Sequence, residues 1–361
     1  MKDNYTGIDW HKRYSVCYTV DKEGKRLKEQ KIEGNSPQEF ARYFGSLEGP
    51  HRVVHEACWN WAKLHEVLEG IEGMEEVVLA HPYKTRLIAD AQIKTDRLDA
   101  KALATLLRGN LVAQVHVPGK PARTRKLLLR QRLQWSRLRT MLRNRIHVVV
   151  DRQHELALPQ CSDLFGKRGM AALRQAKLSE QDRLLLNEEL DLHDLLQKQI
   201  GELEKAILAD NKENPITRRL QTIPGMGKIL AAVTASEIDV ITRFHSSEKL
   251  CAYAGLVPTT HGSGGKVHHG KLLPSCNKWL RWAFTEAAWV AIGCSPYLGQ
   301  LYRDHRARGK KANTAIMIVA RRMCQITWSM LNYSRDFSPE VPDSNPLPGR
   351  SHRRLKVPMN A

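Results

Sequence analysis

Tyr5-Thr6-Gly7-Ile8-Asp9-Trp10 is a short apolar, strand-like run with one carboxylate set inside it. Strands normally carry apolar or neutral side chains at such places, and a buried acid is costly unless it is paired. The anomaly recurs. Arg52-Val53-Val54-His55-Glu56 is a second strand-like run that ends on an acid. Lys94-Thr95-Asp96-Arg97-Leu98-Asp99-Ala100-Lys101 opens a helix-like stretch with two acids three residues apart, hence on one helical face. Asp9, Glu56, Asp96 and Asp99 therefore come from three separate elements. Carboxylates gathered by a fold repel one another unless a cation sits among them. Hard oxygen ligands of this kind suit Mg²⁺ or Mn²⁺. The commonest use of such a site is two-metal phosphoryl transfer on nucleic acid.

Outward from the first run, Tyr14 to Val20 and Arg26 to Glu33 read as two further strands, with a turn at Asp21-Lys22-Glu23-Gly24. Ser36-Pro37-Gln38-Glu39 is a helix start with capping-box spacing and Pro at the first helical position. A strand from Arg52 to His55, a helix from Asn60 to Leu68, a strand from Glu76 to Ala80 and a helix from Asp96 to Arg108 follow. A three-strand meander, then helix, strand, helix, strand, helix, is the order of an α/β RNase H-like fold. That fold carries acids on its first strand, at the end of its fourth and on its last helix. The predicted N-terminal domain spans 1–115.

Residues 116–208 read as helical and basic. The pattern from Lys126 to Val150, with the residues just before it, is dense in arginine: Arg123, Arg125, Arg130, Arg132, Arg137, Arg139, Arg143 and Arg145. A Pro- and Gly-containing break (159–169) separates it from a second pattern, Ser179 to Leu208, whose leucines recur at helical spacing. Two long helices joined by a loop predict an antiparallel coiled coil or helical arm, with a plain bundle equally weighted. So many arginines among so few acids favour a phosphate-facing row, with Arg130, Arg132, Arg137, Arg139, Arg143 and Arg145 as its members.

Residues 209–335 read as a mostly α domain. Thr222-Ile223-Pro224-Gly225-Met226-Gly227-Lys228 has the PGxG form of a helix-hairpin-helix turn. Gly225 and Gly227 let backbone amides approach a phosphate beside Lys228, although an ordinary tight turn has the same letters. Further on, His261-Gly262-Ser263-Gly264-Gly265-Lys266 is a glycine-rich loop, made positive by Lys266, His268, His269 and Lys271. A serine among glycines can act as a nucleophile toward phosphate. By itself the pattern is more often only a loop. Residues 336–361 are rich in Pro, Ser and Arg and read as a disordered basic tail.

Lys and Arg number 57 against 38 Asp and Glu in 361 residues, a net charge of +19. That excess points to a polyanion, since each phosphate contact releases counterions. The seven cysteines are scattered without a CxxC pair, which argues against a disulfide framework or a zinc site and for a reducing cytosol. There is no signal-like start and no membrane-length apolar run, so a cytoplasmic protein without a membrane partner is expected. His11, His55, His81, His261, His268 and His269 lack zinc spacing and read as loop or satisfied histidines. Trp59, Trp61, Trp279 and Trp282 read as core rather than base-stacking.

Four stretches, in this order, resemble the DEDD transposases of insertion sequences of the IS110 type. They are Gly7-Ile8-Asp9-Trp10-His11-Lys12, Lys94-Thr95-Asp96-Arg97-Leu98-Asp99-Ala100, Thr222 to Gly227, and Ala254-Gly255-Leu256-Val257-Pro258 through Ser263-Gly264. Asn277-Lys278-Trp279-Leu280-Arg281 resembles that family's helix after the serine loop. The likeness covers residues 5–330. It implies an RuvC-like domain whose Asp9, Glu56, Asp96 and Asp99 bind Mg²⁺ (Mn²⁺ being possible), and a second domain whose Ser263 attacks a DNA phosphate and holds the strand covalently. Asp96 or Asp99 would assist proton removal from the serine. The resemblance also implies a noncoding guide RNA from the element's own ends that pairs with donor and target DNA. Composite active sites follow from it too, in a homodimer assembling to a tetramer, in the bacterial cytoplasm at the nucleoid. The protein is then left to read backbone and shape. Two features depart from the family: Ala57-Cys58-Trp59 after Glu56, and Ser275-Cys276 before Asn277. The rival readings are a metal-dependent, junction-resolvase-like endonuclease that uses water, and a nucleic-acid-binding protein with structural acids.

Overall fold

The computed structural model describes residues 3–88, 95–153, 161, 163–263 and 266–338. The chain divides after Pro118 into two compact units. The first holds β1 (Asn4–Trp10), β2 (Tyr14–Val20), β3 (Arg26–Glu33), α1 (Pro37–Gly45), β4 (His51–Glu56), α2 (Trp61–Glu69), β5 (Met74–Ala80), α3 (Pro82–Ile88) and α4 (Asp96–Arg108). Strand order is β3-β2-β1-β4-β5. The meander β1–β2–β3 is antiparallel, whereas β4 and β5 join it in parallel. All five strands fall where the alternation of the sequence places them, and α3 is an additional helix. Ser36 caps α1 by accepting a hydrogen bond from the Glu39 amide at 3.2 Å, while the Glu39 carboxylate pairs with Arg42 instead of closing a full capping box.

Alternation along the strands gives the sheet two apolar faces. Ile8, Cys17, Ile32 and Val53 meet Phe40, Phe44, Leu64 and Leu68 from α1 and α2. Tyr5, Tyr18, Val20, Val54 and Val78 meet Ala100, Leu103, Ala104 and Leu107 from α4. Each fully buried Phe or Leu is worth roughly 1.5–3 kcal/mol of transfer free energy. The placement of α4 depends on Gly7. A Cβ there would lie 2.1 Å from the Ala100 carbonyl oxygen and 2.5 Å from the Ala104 nitrogen, so the helix backbone rests directly on β1.

The second unit holds α5 (Lys120–Asp151), α6 (Lys167–Gln175), α7 (Glu180–Asn211), α8 (Pro215–Leu220), α9 (Lys228–Ile238), a 3₁₀ turn (Ile241–Arg243), α10 (Ser247–Tyr253), β6 (Pro258–Ser263), β7 (Lys266–Leu272), α11 (Lys278–Cys294), α12 (Pro296–Ala307) and α13 (Ala312–Asn332). The long helices α5 and α7 run antiparallel. Arg125 meets Asp210, Arg132 meets Glu204, Arg145 meets Glu189 and Arg152 meets Asp182, one number rising as the other falls.

Two sequence readings need correction here. The break between the long helices carries a helix, α6, because Leu173 buries itself against Ile146, Val149, Leu186 and Leu190. The glycine-rich run around Ser263 is a β-hairpin, since Thr260, His261 and Gly262 pair with His269, His268 and Val267. Packing is also continuous across residue 208. Leu129, Leu133 and Ile207 share a core with Ala232, Val233 and Ala283 from α9 and α11. Lys94, Gly264, Gly265 and residues 339–361 of the predicted tail lie outside the described residues.

Candidate metal centre and serine hairpin

Asp9 leaves β1 on the face covered by α4, with the same parity as Tyr5 and Gly7. The parallel register matches Ile8 with His55, which brings Glu56 level with Asp9 at the ends of the two central strands. Glu56 shares the parity of Val54, again the α4 side. Thr95 caps α4 by accepting from the Leu98 amide at 3.2 Å, and Asp96 and Asp99 fill the first turn. Acids are favoured there by the helix dipole. The bare backbone of Gly7 thus lets α4 bring Asp96 and Asp99 to Asp9, and the register of β1 and β4 sets Glu56 level with Asp9 on the neighbouring strand.

The electrostatics agree with that convergence. Burial raises the pKa of Asp9, and the nearby charges of Asp96 and Asp99 raise it further; only His11 opposes them. The Cys58 thiol is pushed up by burial first, then by Glu56 and Asp9. His11 was read from sequence as a loop or satisfied histidine, yet its Nε2 lies 3.1 Å from Asp9 Oδ2 and 3.3 Å from Asp96 Oδ2. The Tyr14 hydroxyl donates to the same Asp96 oxygen at 2.8 Å, and that bond raises the tyrosine pKa. Ligand atoms of Asp9, His11 and Asp96 all lie within 4.8 Å of one another. A set of oxygens with one imidazole nitrogen fits a divalent cation. His11 stands two residues after Asp9, on the same side of the strand direction. That spacing was the sequence signal for it.

Two neighbours behave differently from each other. His55 points to the opposite face, 3.1 Å from His65, and burial with that second ring lowers its pKa to about 3. Trp59, expected in the core, is 73% exposed in the turn between β4 and α2, where no layer covers it. Trp61, Trp279 and Trp282 are half-buried.

In the second unit the backbone of Ser263 ends β6 and pairs with Lys266 across the hairpin. The root of the hairpin is fixed. Asn277 caps α11 by accepting from the Trp279 and Leu280 amides at 3.0 and 3.1 Å. Its Nδ2 donates to Glu237 at 2.9 Å and to the Tyr253 hydroxyl at 3.1 Å. Glu237 is 3% exposed and also receives Arg130 at 2.9 Å and Lys126 at 3.6 Å. Gly255 (φ +67°) lets the chain pass Cys276, whose Sγ would lie 2.6 Å from a Cβ there. The departure Ser275-Cys276 is therefore packed against the start of the same loop.

Residues 6–155 match the family model of IS110-type DEDD transposases, and residues 217–303 match that of the transposase IS116/IS110/IS902 family. The chain belongs to this IS110 transposase family. It is 30% identical over 140 residues to an insertion element IS110 uncharacterized 43.6 kDa protein of Streptomyces coelicolor, covering 39% of this chain and 35% of that protein. It is 28% identical over 123 residues to an insertion element IS116 protein of Streptomyces clavuligerus, covering 34% and 31%. The chain thus aligns with about a third of the length of these two relatives. With the transposase for insertion sequence element IS1111A of Coxiella burnetii it shares 29% identity over 271 residues, 74% of this chain and 72% of that protein.

In this member of the IS110 family, the arginines of α5 divide into two groups. Arg130, Arg132 and Arg145 are ion-paired, to Glu237, Glu204 and Glu189. Arg137 lies over the Trp279 ring at 5.3 Å, Arg139 donates to Gln197 at 2.6 Å, and Arg143 lies over Phe165 at 4.6 Å. The expected phosphate-facing row is thus partly used up within the unit, by Glu204 and Glu189 of α7 and Glu237 of α9. The PGxG turn has a packing role as well. A Cβ on Gly225 (φ +80°) would lie 2.2 Å from the Ala287 carbonyl oxygen, so this glycine seats the turn on α11. Gly227 and Lys228 are exposed at the start of α9. No helix among the described residues is long and apolar enough to cross a membrane.

Proposed function

We propose that this chain is a DNA transposase that cuts and rejoins strands through Ser263, with Asp9, Glu56, Asp96 and Asp99 as the metal-holding acids. The observation that carries this reading is the convergence of Asp9, Asp96 and Asp99 on the α4 face of β1, where burial first, and then the charges of Asp96 and Asp99, raise the Asp9 pKa. When bound there, Mg²⁺ (or Mn²⁺) supplies charge neutralisation at the scissile phosphate. The Ser263 oxygen forms a bond to phosphorus as one bridging P–O bond of the strand breaks. Its proton passes to a carboxylate, with Asp96 or Asp99 as the acceptor, and the leaving oxygen takes up a proton from solvent. The phosphoserine ester keeps the strand activated, so rejoining by a second hydroxyl needs no ATP. The proposal extends, by analogy with the family, to a guide RNA that pairs with donor and target DNA, an RuvC-like acid domain, and a homodimer assembling to a tetramer with composite sites. The site of action is then the bacterial cytoplasm, on nucleoid DNA.

On this reading Lys266, in the hairpin strand that carries the exposed His268, and Lys228, exposed at the start of α9 beside Gly225 and Gly227, are contacts to the nucleic-acid backbone. Arg137, Arg139 and Arg143, which have no acid partner among the described residues, are the stronger phosphate candidates on α5. A water-using endonuclease remains the second reading, since all four acids lie within one unit.

Covalent trapping tests the proposal. The protein is incubated with the DNA flanking its gene, RNA transcribed from that DNA, target duplex and Mg²⁺, then denatured. The expected result is a protein–DNA adduct that maps to Ser263 and is lost in both Ser263→Ala and Asp99→Ala. Cutting that persists in Ser263→Ala but not in Asp99→Ala would leave the endonuclease reading in its place.

A further inference from the structure

We propose that His11 supplies a nitrogen ligand to the divalent cation of the acid site and so biases that site toward Mn²⁺ over Mg²⁺. This inference rests on the acid-site reading above. Octahedral bonds of about 2.1–2.3 Å set neighbouring ligand atoms about 3.0–3.3 Å apart. His11 Nε2 already lies at 3.1 Å from Asp9 Oδ2 and 3.3 Å from Asp96 Oδ2, the spacing of adjacent corners around one ion.

The residue is held in place through both its backbone and its ring. The His11 amide donates to the Tyr14 carbonyl at 3.0 Å, and the Asn35 side chain donates to the His11 carbonyl at 2.8 Å. The imidazole lies against the Tyr14 ring with centroids 4.7 Å apart. The Tyr14 hydroxyl in turn holds Asp96 at 2.8 Å. Two strands and the turn between them therefore fix both an oxygen and a nitrogen donor. Ligand orientation by such surrounding bonds is a common feature of metal sites. A neutral imidazole bound through Nε2 is a poor ligand for Mg²⁺, which prefers oxygen and keeps its waters. Mn²⁺ accepts nitrogen and oxygen donors together.

Pulsed electron paramagnetic resonance on the tag-free full chain with Mn²⁺ alone as the probe decides the question. The expected result is saturable Mn²⁺ binding with the modulation of a directly coordinated imidazole nitrogen. His11→Gln should remove that modulation and weaken Mn²⁺ about tenfold or more, with a smaller effect on Mg²⁺ measured by competition. Saturable binding that is abolished by Asp9→Asn but shows no nitrogen modulation in the wild type would overturn this inference alone. So would modulation unchanged in His11→Gln. Absence of any saturable Mn²⁺ binding to the wild type would remove the acid-site reading, and this inference with it.

Discussion

The two units treat charge in opposite ways. In the first, three aspartates converge on one face of a sheet and meet a single imidazole, so burial and repulsion leave Asp9 with a raised pKa. In the second, Arg125, Arg132, Arg145 and Arg152 of α5 each meet an acid of α7, and the buried Glu237 is met by Lys126, Arg130 and Asn277. Matched charge holds a scaffold in one register. Unmatched charge at the end of two strands is what a ligand of opposite sign would relieve. The contrast teaches that counting charges does not locate function; what matters is whether the fold itself compensates them.

The largest expected effect on stability comes from breaking the matched side. Glu237→Ala leaves Lys126, 9% exposed, without its partner and takes an acceptor from the cap of α11. The cost is expected to be about 3–5 kcal/mol, read as a lower urea midpoint. Glu237→Gln keeps an acceptor for Asn277 and should cost less. A cost under about 1 kcal/mol for Glu237→Ala would mean that the second unit does not depend on compensation, and the comparison would fail.

A middle-sized effect probes how the unmatched side is assembled. Gly7→Ala drives a methyl group into the Ala100 and Ala104 backbone, so α4 must shift. About 1–3 kcal/mol of destabilisation is expected, together with weaker Mn²⁺ binding, because Asp96 and Asp99 ride on that helix. Normal Mn²⁺ affinity in a destabilised Gly7→Ala would show that the acids do not need this close approach.

Much of this site was legible in sequence. Strand alternation and the Thr95 cap placed Asp9, Glu56, Asp96 and Asp99 on their elements, because periodicity and capping are local properties. Gly7 and His11 were harder to read. Their roles depend on what packs above the strand, which sequence periodicity does not contain. The helix α6 and the serine hairpin were missed for a related reason. Gly and Pro mark where a chain turns, but Leu173 and the pairing of Thr260 with His269 decide what forms between the turns. Arginine count misled in the same manner on α5, since only the partner helix reveals which cations are already used.

That last point gives the smallest expected effect and the sharpest one. Arg132 is tied to Glu204, whereas Arg137 is exposed and rests on the Trp279 ring. Arg132→Ala frees an acid that is one-third exposed and readily hydrated, so roughly 1 kcal/mol of stability is expected to be lost. DNA affinity should hardly change, because that cation is already neutralised within the fold. Arg137→Ala should leave stability nearly unaltered but lower the slope of log affinity against log salt by about 1, the signature of one lost phosphate contact. Fluorescence anisotropy over a salt series measures both variants side by side. Equal salt slopes for the two would mean that pairing inside the helix hairpin does not sort structural from phosphate-binding arginines.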